Sequence, residues 1–175
     1  MGIYNADGTR QSTVTRNSFL DIGVDLKRVV NRILKNDTLV KLLYYNSSNV
    51  DTESNLTNQQ KVAMINDYIK LVPKITKDDL LKSYLVINMD QFTPINDDYN
   101  FKSFILSFDI ICSPDVWIMD DYMLRPFKIM HELDSIFNNS KLDSLGPITF
   151  LSSSQLIINE DLMGYSMFFR VVNFQ

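Results

Sequence analysis

The chain has 175 residues, a formal net charge of −4, 45% hydrophobic residues and 22% charged residues. A chain of this length buries enough surface to form a core without disulfides or a structural metal, which excludes the disordered and fibrous classes. The 18 Asp outnumber the 3 Glu and accompany 16 Asn. Because Asp and Asn favour caps and turns, many short elements are expected, although an AT-rich genome would give the same bias.

The N-terminal half of the sequence predicts an arm and three helices. Residues 1–20 are polar without periodicity and predict a flexible arm, followed by one domain over residues 21–175. An apolar stripe from Ile22 onwards predicts an amphipathic helix, with its members at Leu26, Val29, Val30, Ile33 and Leu34. Asn36 and Asp37 can cap a second helix over residues 38–45. Thr57 and Gln60 match a capping box and predict a third helix that ends near Lys70, before Pro73.

Beyond Pro73 the apolar spacing shifts towards the period of two that is typical of strands. Residues 83–92 and 101–112 predict a first hairpin, joined through residues 96–98. A helix is expected over residues 122–137, with Met123 and Phe127 among its buried side chains. Residues 148–151 and 156–158 predict strand on either side of a serine bend, and residues 165–174 predict the last strand.

These elements define an α+β fold in the order α-α-α-β-β-α-β-β. Two hairpins separated by a helix predict a mostly antiparallel sheet of about four strands, packed against helices on one face. The other face should be open and should carry a mixture of small, polar and large groups, with Ile105, Ile111, Met167 and Phe169 as its large members. Such a mixture is typical of a sheet that packs on another subunit.

Catalytic chemistry has few candidates in this sequence. His131 is the single histidine, and its helical neighbours predict a partly buried structural imidazole. Cys112 lies in an apolar strand, where burial disfavours a reactive thiolate, and a lone cysteine fits a reducing compartment. The adjacent acid pairs point apart or cap turns, and no phosphate loop, hydrolase elbow or zinc ligand set is present. We therefore expect no enzymatic activity, no metal and no cofactor.

The sequence argues against two kinds of binding, namely insertion in a membrane and binding of a nucleic acid through its phosphates. The sequence has neither a signal-peptide pattern nor 18 consecutive apolar residues, so neither export nor membrane spanning is expected. The negative net charge argues against binding by phosphate neutralisation.

Charge is unevenly distributed along the chain. Residues 1–41 carry seven bases and four acids, whereas residues 78–134 carry four bases and eleven acids. Opposed patches favour head-to-tail association in a ring, although two solvated faces that merely differ in charge would give the same pattern.

Several runs of residues, together with this order of elements, carry a resemblance to a known family. They are residues 108–111, Trp117, the run Arg125-Pro126-Phe127, the helix 129–137, residues 145–148 and residues 164–169. Over residues 22–174 the chain resembles the tail terminator, or tail-completion, proteins of tailed bacteriophages. The third helix and the N-terminal arm exceed the minimal family pattern, which leaves terminator, neck and short-tailed ring subtypes open.

The resemblance implies a virion structural protein that is made in the cytoplasm of a host bacterium. Such subunits form a ring, usually a hexamer, at the head-proximal end of the tail. The ring terminates the tail tube, contacts the tail tube protein and the head connector or neck protein, and lets DNA pass without binding it specifically. The predicted subunit contacts are Lys27, Arg28, Arg32, Lys35, Trp117 and Arg125. The predicted acids lining the bore are Asp97, Asp98, Asp120 and Asp121.

An alternative function fits the same composition. An acidic, non-catalytic phage protein that binds and occupies a host protein would also lack catalytic motifs, and it would be a stable monomer or dimer.

Overall fold

A computed structural model of the protein describes residues 19–72, 82–95, 98–142 and 145–173. The predicted arm lies outside these residues, except for Phe19 and Leu20, which begin the first helix. The helices are α1 (Phe19–Leu34), α2 (Asp37–Tyr44), α3 (Asn58–Ala63) and α4 (Arg125–Phe137). The strands are β1 (Ile69–Lys70), β2 (Ser83–Ile95), β3 (Asp98–Cys112), β4 (Ser140–Leu142), β5 (Leu145–Ile157) and β6 (Met163–Asn173).

The mixed α+β class is confirmed, but the number of strands is six rather than about four. The sheet has the order β1-β2-β3-β6-β5-β4. The two long hairpins, β2–β3 and β5–β6, join where β3 pairs antiparallel with β6. The two additional strands are β1, which pairs parallel with β2, and β4, which pairs antiparallel with β5. Strands of two and three residues are too short to produce an alternating pattern in the sequence.

The helix starts follow local hydrogen-bonding rules. The Asn36 side chain accepts the backbone N–H of Leu39, which confirms the predicted cap of α2. Thr57 and Gln60 form the predicted capping box at α3. However, α3 ends at Ala63, not near Lys70, because Asn66 adopts a φ of 70°, which a continuing right-handed helix excludes.

The helices cover one face of the sheet and form the core with it. Alternate β3 residues, including Phe104, Leu106 and Phe108, lie in this core, as the spacing predicts. Met167 and Phe169 also lie there, so their predicted position on the open face is wrong. The registers Phe108↔Met167 and Leu106↔Phe169 place them on the same face as the core side chains of β3.

The opposite face of the sheet carries a smaller apolar cluster and a polar group. Tyr84, Val86, Ile111, Leu156 and Leu162 form the cluster. A hydrogen-bonded group lies on the same face, in which Asp109 accepts from Asn88 at 3.2 Å and from Ser166 at 2.6 Å. The sequence therefore identified the mixed polar and apolar character of this face, although it assigned two core residues to it.

Two features of the C-terminal half differ from the prediction. The serines at 152–154 form no bend, because β5 is continuous through them with a single irregularity at Leu151. Gly164 lies against β3 so closely that a Cβ there would be 1.8 Å from the carbonyl oxygen of Ile110. Glycine at this position is therefore needed for β3 and β6 to pair at this spacing.

Candidate functional site

Several exposed apolar side chains of the described residues gather at one end of the sheet. The segment between β3 and α4 presents Ile118, Tyr122 and Met123, and α4 adds Phe127. Tyr122 is 90% exposed and Ile118 is 69% exposed. Large apolar side chains that are exposed together indicate an interaction surface, whereas scattered ones do not.

A tight turn produces this arrangement. Ile118 and Leu124 form an isolated antiparallel bridge, and the Asp121 carboxylate accepts the backbone N–H of Met123 at 3.1 Å. Tyr122 lies between them with a φ of 61°, a left-handed conformation that is uncommon for an aromatic residue. The turn therefore directs Tyr122 away from the protein instead of starting α4 at this residue, as the sequence predicted.

The end of β5 extends the same surface. The register pairs Ile157 with Met163 and Gln155 with Tyr165. The Tyr165 ring in turn contacts Phe127, with ring centroids 5.1 Å apart. Ile157 is 66% exposed, and Ile158 follows it. We call this surface the apolar end and define it by six residues, namely Ile118, Tyr122, Met123, Phe127, Ile157 and Ile158.

Arg125 holds the segment that presents the apolar end. It is fully buried. Its guanidinium donates to the backbone carbonyls of Val116 at 2.8 Å, Leu42 at 2.8 Å and Tyr45 at 2.7 Å, and to that of Ser47. Because Leu42 lies in the last turn of α2, the cation also satisfies a carbonyl that the helix leaves without a partner. Burial lowers the pKa of Arg125 from its usual value.

The prediction that Arg125 lies at a subunit contact is therefore wrong, because a fully buried guanidinium is not available to a neighbouring subunit. The sequence placed Arg125 on the first turn of a helix but could not indicate that its acceptors lie about 80 residues earlier in the chain. Its role is within the subunit, where it joins α2, the loop after α2 and the segment before α4.

Trp117 lies beside the apolar end. It is half-buried, its indole N–H donates to the carbonyl of Cys112 at 3.3 Å, and its ring lies 6.4 Å from that of Tyr165. Cys112 is buried among apolar groups, and this burial raises the pKa of its thiol to about 11. The thiol therefore stays protonated near neutral pH, in agreement with the prediction of a poor nucleophile.

The four other basic residues predicted at subunit contacts all lie on α1. Lys27 and Lys35 are exposed. Arg28 forms an ion pair with the buried Asp25 at 2.7 Å, and Arg32 donates to the carbonyl of Lys141 at 3.3 Å. Arg28 and Arg32 thus have contacts within the subunit, and the subunit contacts of all four side chains remain predictions.

The acids predicted to line a bore are not close together. Asp97 lies outside the described residues, and Asp98 begins β3 at the tip of the first hairpin. Asp120 and Asp121 follow the opposite end of β3, and both are exposed. Lys128 pairs with Asp121 at 2.6 Å and, chiefly through this hydrogen bond, lowers the pKa of that carboxyl group. A bore that is lined by Asp98 as well as by Asp120 and Asp121 would have to be longer than β3.

Within the described part of the chain, no group of three or more His, Cys, Asp or Glu side chains could hold a metal ion. His131 is exposed, so its predicted partial burial is wrong. Between α1 and β2 a shallow groove of about 500 Å³ is lined mostly by apolar residues, among them Ile22, Leu26 and Phe92. In residues 19–72, 82–95, 98–142 and 145–173 no helix is long and apolar enough to span a membrane.

The fold and this surface define an α+β protein with a mostly antiparallel sheet, one helix-covered face and an exposed apolar surface. Comparison with protein families gives a narrower assignment. The family model described as YomW matches residues 36–171, and the chain belongs to this family. The family derives from a phage genome, which indicates a phage-related protein. No curated protein matches the chain.

The sequence did not identify any of the six residues of the apolar end as surface residues. Met123 and Phe127 were predicted to be buried on α4, and Tyr122 to start that helix. A signal was present in Asp120-Asp121, because an acid pair directly before an apolar residue is typical of a turn as well as of a helix start. Ile157 ends β5, Ile158 follows it, and both are exposed.

Proposed function

We propose that the protein is a structural subunit of a phage particle. It forms a ring, with six subunits in the simplest case, at the head-proximal end of the tail. There it terminates the tail tube and joins it to the head or neck, and DNA passes through the ring. The apolar end is the observation that carries this proposal, because it groups six of the eleven exposed large apolar side chains of the described residues.

Three properties of the apolar end support an assembly role. Its six side chains come from two separate segments, so the surface depends on the fold. Tyr122 combines 90% exposure with a left-handed backbone, and such a conformation persists only where the surrounding contacts enforce it. Aromatic and methionine side chains are also enriched in the buried centres of protein interfaces. Membership of a phage-derived family supports a partner within the phage particle.

The proposal is tested in phage particles that lack this protein. We expect DNA-filled heads separated from tails, or overlong tails, in electron micrographs, and normal joined particles when the intact chain is supplied in trans. A deletion phage with joined tails of normal length would contradict the tail role and favour the alternative of a host-directed phage protein.

The apolar end is tested by charge substitution in the same complementation assay. Tyr122→Asp places a carboxylate at the most exposed apolar position, and Asp tolerates the left-handed backbone better than Tyr does. Val62→Asp is the matched control, because Val62 is 63% exposed on α3, outside the apolar end. We expect Tyr122→Asp to lose joined particles and Val62→Asp to retain them, with equal thermal stability. Equal complementation by the two variants would show that the apolar end has no part in assembly.

A further inference from the structure

The outer side of β5 is an unprotected sheet edge. β4 pairs with β5 only as far as Ile148, and the Asn138 side chain accepts the backbone N–H of Phe150 at 3.1 Å. From Leu151 to Ile157 the described residues provide no partner strand on this side. Residues 151–155 and Ile157 are exposed, and Leu156 is half-exposed.

Apart from the irregularity at Leu151, this edge lacks the features by which proteins usually prevent strand pairing. Residues 151–157 contain no charge, no proline and no glycine. β2, the long strand next to the other edge, contains Asp90 and Pro94 and has Gln91 at a φ of 52°. Free edges are normally short, charged, bulged or interrupted by proline, because an open row of N–H and C=O groups recruits another strand. An edge without such protection is expected to be covered in use.

The sequence of the edge is almost symmetric about Ser154. Leu151 and Ile157 are apolar and lie three residues away on either side, and Ser153 and Gln155 are the polar neighbours. In an antiparallel pair of two identical strands centred on Ser154, Leu151 lies opposite Ile157 of the other copy and Ser153 lies opposite Gln155. Ser152 lies opposite Leu156, so two of the three pairs of unlike positions match in polarity, and no charge is buried.

We propose that the β5 edge binds the β5 edge of a second copy of this chain, antiparallel and centred on Ser154, to form a two-fold dimer with a continuous sheet. A two-fold interface uses the same patch on both subunits, which a nearly symmetric strand provides. The proposal goes beyond the ring proposed above and does not depend on it, because such a pair can form whether or not the copies enter a ring.

Light scattering on the purified full chain tests the dimer. We expect a particle of twice 20.3 kDa for the wild type. Ser154→Lys brings two ammonium groups together at the centre of the strand pair, so this variant should shift to 20.3 kDa at the same concentration. Gln59→Lys is the matched control, because it adds the same charge at an exposed position on α3 and should leave the dimer intact.

Cysteine cross-linking tests the register. Ser154→Cys places two thiols directly opposite each other, within the Cα separation of about 4.4–6.8 Å that a disulfide requires. Ser152→Cys lies on the same face, but its two copies are offset by four residues, about 14 Å along the strand. Under mild oxidation we expect a covalent dimer with Ser154→Cys and none with Ser152→Cys. The native Cys112 is buried and does not interfere.

The outcomes separate the two proposals. A wild-type monomer at all concentrations, or an oligomer whose mass is unchanged by Ser154→Lys, overturns the strand pairing. Equal cross-linking of the two cysteine variants overturns the register. None of these results decides the tail role, which depends on the particles that lack the protein.

Discussion

Arg125 should be among the most important side chains for stability, and Arg125→Met tests this. Methionine retains much of the apolar stem but removes all donors. The guanidinium makes four hydrogen bonds to carbonyls, of which the bond to Leu42 is fully buried and the others are partly buried. A hydrogen bond to a charged group contributes about 1.5–3 kcal/mol, and a buried acceptor left without a donor costs about 1–3 kcal/mol.

The expected loss follows from these contacts. The buried Leu42 carbonyl should account for about 2–3 kcal/mol, and the three others for less, since water can reach them after the substitution. We therefore expect Arg125→Met to lower the free energy of unfolding by about 3–5 kcal/mol, a large part of the roughly 5–15 kcal/mol that is typical of a domain. Arg125→Lys should recover only part of this loss, because an ammonium group lacks the planar fork that reaches several carbonyls.

Urea unfolding followed by the fluorescence of Trp117, the single tryptophan, measures this loss. The midpoint should fall by about 2 M if the slope is about 2 kcal/mol per molar. Arg170→Met is the control, because Arg170 is exposed and should change stability by less than about 0.5 kcal/mol. A stable Arg125→Met variant that instead fails to assemble would refute the reasoning and restore the subunit-contact role predicted from sequence.

Three further predictions concern other sites. Gly164→Ala should destabilise by at least about 2 kcal/mol in thermal unfolding, since the new Cβ meets the backbone of β3. Gly23→Ala, with nothing within 4 Å, should stabilise α1 by about 0.5–1 kcal/mol, and the reverse order would refute the close approach. The Cys112 thiol, whose pKa is raised to about 11, should resist a thiol reagent at pH 8 until the protein unfolds, and rapid labelling of the native protein would contradict its burial. In Lys128→Ala the pKa of Asp121 should rise towards 3.8, measured by NMR titration. In the wild type the lowered pKa of Asp121 stabilises the folded state at a pH above the unfolded-state pKa, and this contribution is lost as the pH falls through the folded-state pKa. An Asp121 titration that is unchanged in Lys128→Ala would exclude the ion pair as the cause of the lowered pKa.

Local patterns predicted the fold where one segment determines its own structure. The caps at Asn36 and Thr57 and the alternation of β3 are of this kind, since each depends on neighbouring residues. The predicted start of α4 at Tyr122 was wrong because the apolar periodicity of residues 122–137 continues through a turn in which Tyr122 has a positive φ. Periodicity records which positions are apolar, but it does not record the backbone conformation of a single residue.

The candidate site was less predictable because it depends on contacts between distant segments. The burial of Arg125 depends on carbonyls of α2 and of the loop after it, and no local pattern indicates them. The apolar end likewise combines the turn at Tyr122 with the end of β5, which the pairing of β5 with β6 brings to the same place. The uneven charge along the sequence does not indicate where the acids lie in the fold: Asp98 is at one end of β3, and Asp120 and Asp121 follow its other end.

The contacts of Arg125 also determine when the apolar end can exist during folding. Its acceptors at Leu42, Tyr45 and Ser47 are 83, 80 and 78 residues away in sequence. Closing loops of this length is slow compared with forming a helix or a hairpin, so the turn at Tyr122 is fixed only after the N-terminal and C-terminal halves have met. A newly made or partly folded chain therefore does not present the apolar end in its final form. Under the proposed function, assembly would then select completely folded subunits without any separate checking step.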